Sequence, residues 1–258
     1  MRSNNPVLKN LPQADQQGYG YQSPQVTDAE RPMTIDDVVS KTGITLAVIV
    51  VFAVANFMLG LSNAGLAIML TFGGAIGAFI TVLVHAFSKK FGSKTLTLIY
   101  AAFEGLFVGG FSFLFAGMRV GDSSGSMIVF QAIVGTIGVF LGMLVVYRTG
   151  AIRVTPRFNR ILTGLIFGVA IMALGNFLLA IFTGINPLRG GGTLAIIFGL
   201  VCVVLAALSF LQDFDVADKL VRTGAPAQAA WGVALGLAVT LVWLYTEILR
   251  LLYLFQER

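Results

Sequence analysis

Residues 95–117 read TLTLIYAAFEGLFVGGFSFLFAG, an apolar stretch whose only charged residue is Glu104. A helix needs about 20 apolar residues to cross a hydrocarbon core of ~30 Å. Because lipid offers no hydrogen-bond partners to the backbone, such a stretch must be helical. The sequence therefore predicts a carboxyl group close to the middle of a membrane.

Six further stretches are also apolar and about long enough to cross a membrane. The seven predicted spans are 43–61, 64–87, 95–117, 127–147, 161–183, 193–212 and 229–255. The composition agrees, since 57% of the residues are hydrophobic and only 11% are charged, whereas a soluble domain has about a quarter charged. The predicted fold class is all-α, a polytopic membrane protein built as a seven-transmembrane-helix bundle.

The predicted membrane domain, residues 33–258, follows a polar tail. Residues 1–32 are rich in Gln, Pro, Asn and Gly, a composition typical of disorder. They contain no apolar core of a signal peptide, so no cleavable leader is expected. Thr34 and Asp37 have the spacing of a helix capping box, which predicts a short helix leading into the first span.

The basic residues predict the orientation. Most of the 17 Lys and Arg residues lie in the tail up to Lys41 and in the segments 88–94, 148–160 and 213–228. The other side has Arg119, Arg189, Arg250 and Arg258. The positive-inside rule then predicts a cytoplasmic N-terminus in the cell membrane. The net charge of +5 follows from these loops, so the expected partner is the lipid bilayer and not nucleic acid.

Glycines at four-residue spacing occur in five spans. Such pairs let helix backbones approach closely. They predict a compact bundle within one chain, with a dimer seam as the alternative. The pairs are Gly73/Gly77, Gly105/Gly109, Gly138/Gly142, Gly164/Gly168 and Gly232/Gly236.

Three acids stand out because ionisable groups at membrane depth are costly and usually functional. Glu104 and Glu247 lie inside predicted spans, and Asp213 follows an unbroken apolar run. Glu104 is either a proton- or cation-responsive group or a neutral carboxyl that hydrogen-bonds a neighbouring helix. Asp213 is expected to point into the bundle.

Two neighbouring patterns favour ion pairs. Asp215 and Asp218 precede Lys219 and Arg222 by four residues each, the spacing of helical ion pairs. Asp215 is thus either part of a solvated helix end or a member of the site.

Glu247 precedes Arg250 by three residues on the same helix face. Either the two residues form a neutralised ion pair, or Glu247 is the second acid of a pH-sensitive site.

Enzyme signatures are absent from the sequence. There is no nucleophile elbow, zinc-protease motif or phosphate-binding loop, and one His and one Cys cannot make a metal cluster of such ligands. We expect neither an enzyme nor a cofactor nor a resident metal. His85 is expected at the membrane interface, and Gln131 and Asn176 are expected to hydrogen-bond between helices.

Three segments resemble the Bax inhibitor-1 (TMBIM or YccA-like) family of seven-helix membrane proteins. They are IYAAFEGLFVG at 99–109, LQDFD at 211–215 and LVWLYTEILRL at 241–251. The starts RSNNPV at 2–7 and MTIDD at 33–37 resemble the actinobacterial branch. The resemblance covers roughly residues 33–255.

The resemblance implies a pH-sensitive calcium leak channel in which two acids share a proton and hold the pore closed. Asp213 matches the acid after the sixth helix, and Glu247 matches the acid of the seventh. In the predicted spans their depths differ by well over ~10 Å, too far to share a proton. Either the seventh span begins later than predicted or the acids are rearranged, with Glu104 replacing one partner.

Two functions remain open from the sequence. The first is a pH-gated cation pathway, with calcium or protons as the ions, that depends on Glu104, Asp213 and Glu247. The second is a non-conducting membrane protein that regulates an integral partner, such as a membrane protease or a respiratory complex, through glycine-lined faces and the polar tail. A proton-coupled small-solute transporter is less favoured because no internal repeat is visible.

Overall fold

The computed structural model describes residues 31–87, 92–120, 123–188 and 192–256. Within them are seven helices that are long and apolar enough to cross a membrane, so the predicted fold class is confirmed. All of the predicted tail except its last two residues lies outside the described part. The helices are α1 (Ile35–Ser62), α2 (Ala64–Phe87), α3 (Lys94–Ala116), α4 (Gly125–Thr149), α5 (Pro156–Thr183), α6 (Thr193–Arg222) and α7 (Ala230–Gln256).

The described residues also contain two short strands and one 3-10 turn. Strands β1 (Arg119–Val120) and β2 (Ser123–Ser124) pair antiparallel between α3 and α4. A single 3-10 turn, Ala227–Ala229, leads into α7.

The capping box predicted at the start of α1 is confirmed. The Thr34 hydroxyl accepts a hydrogen bond from the backbone N–H of Asp37, and the Asp37 carboxylate accepts one from the N–H of Thr34 at 2.9 Å. Arg31 adds an ion pair to the same carboxylate at 2.7 Å. These contacts fix the residue at which α1 begins.

Helix α7 forms the centre of the bundle. Most of its residues are buried, and it packs against α1, α3, α4 and α6. Helix α5 is the opposite case, because among its residues only Leu162 and Asn176 are buried and it packs mainly on α6. The bundle therefore has a dense core around α7 and a thinly attached helix at its edge.

Backbone hydrogen bonds join the start of α1 to the turn between α6 and α7. The Met33 N–H donates to the Ala225 carbonyl at 2.7 Å, and the Ala227 N–H donates to the Arg31 carbonyl at 2.8 Å. The buried Lys41 ammonium donates to the Ala227 carbonyl at 2.6 Å. We call this end of the bundle the N-terminal end. Since successive helices alternate in direction, α3, α5 and α7 also begin there.

The glycines of α3 bring helices together, as the sequence predicted. A Cβ atom on Gly109 would lie 2.8 Å from the Cα of Ala53 in α1, and one on Gly105 would lie 3.2 Å from the carbonyl carbon of Ile49. Only glycine allows the backbones of α1 and α3 to approach this closely.

The same prediction is wrong for α4 and α5. A Cβ atom on Gly138, Gly142, Gly164 or Gly168 would meet nothing within 4 Å. These glycines lie on surfaces that no other helix covers, so their spacing does not report packing within the chain.

We expect Gly109→Ala to lower the free energy of unfolding by about 1–3 kcal/mol, the usual cost of forcing extra volume into a packed contact. Gly138→Ala is the matched control. With open space around it, this change should gain up to about 1 kcal/mol of helix propensity. Denaturant unfolding in detergent measures both. Equal effects of the two substitutions would show that the α1–α3 contact does not require glycine.

Candidate functional site

Asp213 of α6 faces the bundle interior. The Thr240 hydroxyl of α7 donates a hydrogen bond to its carboxylate at 2.7 Å, and Gly236 lies one turn earlier on the same face of α7 with room beside the carboxylate. Asp213 precedes Arg222, the last residue of α6, by nine residues. At a rise of 1.5 Å per residue it lies about 14 Å from the N-terminal end.

Glu104 of α3 lies at almost the same depth. It follows Lys94, the first residue of α3, by ten residues, which corresponds to about 15 Å. Tyr100 lies one turn earlier in α3, and its side chain lines the same cavity as Glu104. Both acids are therefore at nearly the same distance, about 14–15 Å, from the N-terminal end of the bundle.

Glu247 of α7 is bound in a buried ion pair. The Arg250 guanidinium contacts its carboxylate through Nη2 at 2.6 Å and through Nε at 3.2 Å. The third contact of Arg250 is the Leu188 carbonyl, at 3.2 Å from Nη1, and its guanidinium lies 5.9 Å from the centre of the Phe198 ring. The structure thus shows the neutralised pair that the spacing allowed.

Asp213 and Glu247 lie at different depths. Asp213 contacts α7 at Thr240, which is seven residues, or about 10 Å, from Glu247 along the helix axis. Helix α7 begins at Ala230, one residue from the predicted start, so a later start does not explain the separation. The acid that shares the depth of Asp213 is Glu104.

Asp215 belongs to the charged end of α6. Its carboxylate pairs with Lys219 at 2.5 Å, and Asp218 pairs with Arg222 at 2.9 Å. Both ion pairs predicted from the four-residue spacing are confirmed. The structure does not bring Asp215 together with Asp213, Glu104 or Glu247.

Two adjoining cavities run along α7. One has a volume of about 310 Å³ and is lined by Glu104. The other has a volume of about 340 Å³ and is lined by Glu247 and Arg250. Phe107, Trp243 and Thr246 line both. These three side chains therefore stand between the two cavities, one of which contains Glu104 and the other the ion pair.

Helix α5 forms one wall of the second cavity through Ile166, Val169, Ala170 and Ala173. Asn176 holds the loop after α5. Its side-chain amide donates to the side-chain oxygen of Asn186 at 2.7 Å and accepts from the Leu188 backbone N–H at 3.0 Å. Asn176 therefore binds a loop, and not a neighbouring helix as predicted.

Polar residues away from the acids differ in whether they join helices. Gln131, predicted to bond between helices, is exposed on α4, and His85 is half-buried in the last turn of α2. The buried Asn56 of α1 does join helices, donating to the Leu106 carbonyl at 2.7 Å and to the Thr71 hydroxyl at 3.2 Å. An Asn inside an apolar run was the signal for this contact.

The fold and these acids define an integral, multi-pass membrane protein with carboxyl groups near the middle of a seven-helix bundle. The family model described as Bax inhibitor 1 like matches residues 5–257. The chain belongs to this family, and the resemblance recognised in three sequence segments is confirmed. No curated protein matches the chain.

Proposed function

We propose that this protein is a pH-sensitive cation leak channel of the cell membrane, with calcium as the ion and a cytoplasmic N-terminus. It acts without enzymatic chemistry. The observation that supports the proposal is the common depth of Glu104 and Asp213, which lie on two helices that both pack against α7. Glu247, paired with Arg250, has a separate role at the far end of the pathway.

Protonation controls the pathway through the charge of these two acids. With both protonated, the bundle holds neutral groups, Asp213 hydrogen-bonded to Thr240 and Glu104 beside Tyr100 in one cavity. Among the described residues, no Lys, Arg or His forms a salt bridge with either acid. Loss of their protons leaves two buried charges, which favours entry of water and separation of the helices around each carboxylate.

The ionised carboxylates would also supply oxygen ligands, the type that calcium prefers. From Glu104 the two adjoining cavities give a route past Phe107, Trp243 and Thr246. The Glu247–Arg250 pair and the Leu188 carbonyl close its far end. Conduction then requires this end to open as well.

Calcium uptake into liposomes that contain the purified protein tests the proposal. We expect faster uptake at about pH 8 than at about pH 6, because the ionised acids favour the open bundle. A flat response at every pH, from protein shown to be folded, would contradict it.

Glu104→Gln is expected to lower the uptake at about pH 8 by about tenfold, since the amide cannot ionise. It should also narrow the difference between the two pH values. Asp36→Asn is the matched control, because Asp36 is exposed at the start of α1 and its charge lies outside the pathway. Uptake by Glu104→Gln identical to that of the Asp36→Asn control would remove Glu104 from the proposal.

A second candidate function is that of a non-conducting regulator of an integral membrane partner. The observation that favours it is α5, which has few buried residues and carries Gly164 and Gly168 on an uncovered surface. Such a face suits a transmembrane helix of another protein. Purification in a mild detergent distinguishes the two functions, since recovery of the bare protein alone would weigh against the regulator.

A further inference from the structure

A cavity of about 560 Å³ lies between α1, α4 and α6 at the N-terminal end, separate from the cavities that contain Glu104 and Glu247. Its inner walls are apolar, and they are formed by Val38, Leu46, Phe140, Leu144, Phe214 and Leu237. Ile35 and Val39, on its outer side, are exposed. The cavity therefore opens from the bundle towards the surrounding lipid near one membrane surface.

One cation and one acid line the rim of this cavity. Arg148, in the last turn of α4, lines the rim and is exposed. Asp218, the acid of the rim, is already paired with Arg222 at 2.9 Å. An exposed guanidinium above an apolar space matches an amphiphile with a phosphate group.

A polar atom without a partner lies deeper in the same cavity. Thr42 lines it, is only 8% exposed, and its hydroxyl oxygen has no hydrogen-bond partner in the part of the chain that the structure describes. A buried hydroxyl without a partner costs about 1–3 kcal/mol, so such groups normally bind something. Thr42 follows Ile35 by seven residues, about 10 Å into the bundle.

We propose that this cavity binds an anionic phospholipid. One acyl chain lies between α1 and α4, the phosphate contacts Arg148, and an ester carbonyl below the phosphate accepts a hydrogen bond from Thr42. The order of the protein groups, cation at the rim and hydroxyl beneath it, follows the order of phosphate and ester along a glycerophospholipid. Basic pockets between transmembrane helices are known sites for acidic head groups. The site does not depend on whether the chain conducts cations.

The test uses native mass spectrometry of the detergent-purified, full-length protein. Phosphatidylglycerol and phosphatidylcholine with identical acyl chains are added in turn. We expect wild-type protein to retain the anionic lipid about tenfold more tightly, which corresponds to about 1.4 kcal/mol. Equal retention of the two lipids would overturn the proposal.

Three variants locate the binding. A Cβ atom on Gly43, which lines the cavity, would meet nothing within 4 Å, so Gly43→Phe should fill the space and abolish retention. Arg148→Gln should bind both lipids equally. Gly168→Phe on α5 is the control, because its surroundings are equally open, and it should behave as wild type.

Two results would place the lipid elsewhere. One is undiminished phosphatidylglycerol binding by Gly43→Phe, and the other is an unchanged lipid preference in Arg148→Gln. If Gly43→Phe does not fold, the exposed Arg148→Gln substitution still decides the question, because it changes charge without altering the packed core.

Discussion

Asp213→Asn is expected to abolish the pH dependence of calcium uptake. The asparagine side chain has the shape of the acid and still accepts the hydrogen bond that the Thr240 hydroxyl donates at 2.7 Å, so the contact between α6 and α7 is kept. It cannot ionise, and it therefore holds the site in its neutral form. Uptake at about pH 8 should fall on the order of tenfold, to the level that wild type shows at about pH 6.

The assay compares uptake by liposomes at the two pH values for wild type, Asp213→Asn and the exposed control Asp36→Asn. Circular dichroism and unfolding in detergent establish that Asp213→Asn is folded. A pH response equal to that of the control would exclude Asp213 as the sensor. In that case the common depth of Asp213 and Glu104 would be a packing feature without a role in conduction.

Arg250→Met is expected to cause the largest loss of stability. The Glu247–Arg250 pair is almost fully buried, with 6% and 9% of the two side chains exposed. Removal of one partner from a buried pair costs about 3–5 kcal/mol, because the other charge stays buried after losing that counter-charge. The Leu188 carbonyl also loses its donor. Denaturant unfolding in detergent measures the change.

The double variant Glu247→Gln/Arg250→Met provides the control for this prediction. With both charges removed, most of the lost free energy should return, since replacing a whole buried pair by neutral groups is often close to neutral. A double variant as unstable as Arg250→Met alone would show that the arginine contributes through Leu188 and Phe198, and not through Glu247.

Local features of this protein could be predicted from its sequence. The spans follow from the length of apolar runs, and the cap at Thr34 and Asp37 and the pairs Asp215–Lys219 and Asp218–Arg222 follow from spacing within one helix. The cap and the ion pairs depend on residues no more than four positions apart, and each span depends on one continuous run. Helix geometry fixes such neighbours whatever the rest of the chain does.

Relations between helices could not be predicted in the same way. That Glu104 and Asp213 share a depth depends on where α3 begins and how far α6 continues past its apolar run. That Gly109 is packed while Gly164 is exposed depends on which helix lies in the centre and which at the edge. The same four-residue glycine spacing occurs at the packed α1–α3 contact and on the exposed face of α5, so the spacing alone does not predict which glycines are packed.

The bonds between the residues before α1 and the turn after α6 determine how the bundle can deform. Met33 with Ala225, Arg31 with Ala227, and Lys41 with Ala227 tie the start of α1 to the turn between α6 and α7. A helix that is bonded to its neighbours at one end moves least at that end. We expect any displacement of α1 from α6 and α7 to be smallest beside these bonds and to grow along the axis of α1. We therefore expect the N-terminal end of the bundle to act as the hinge.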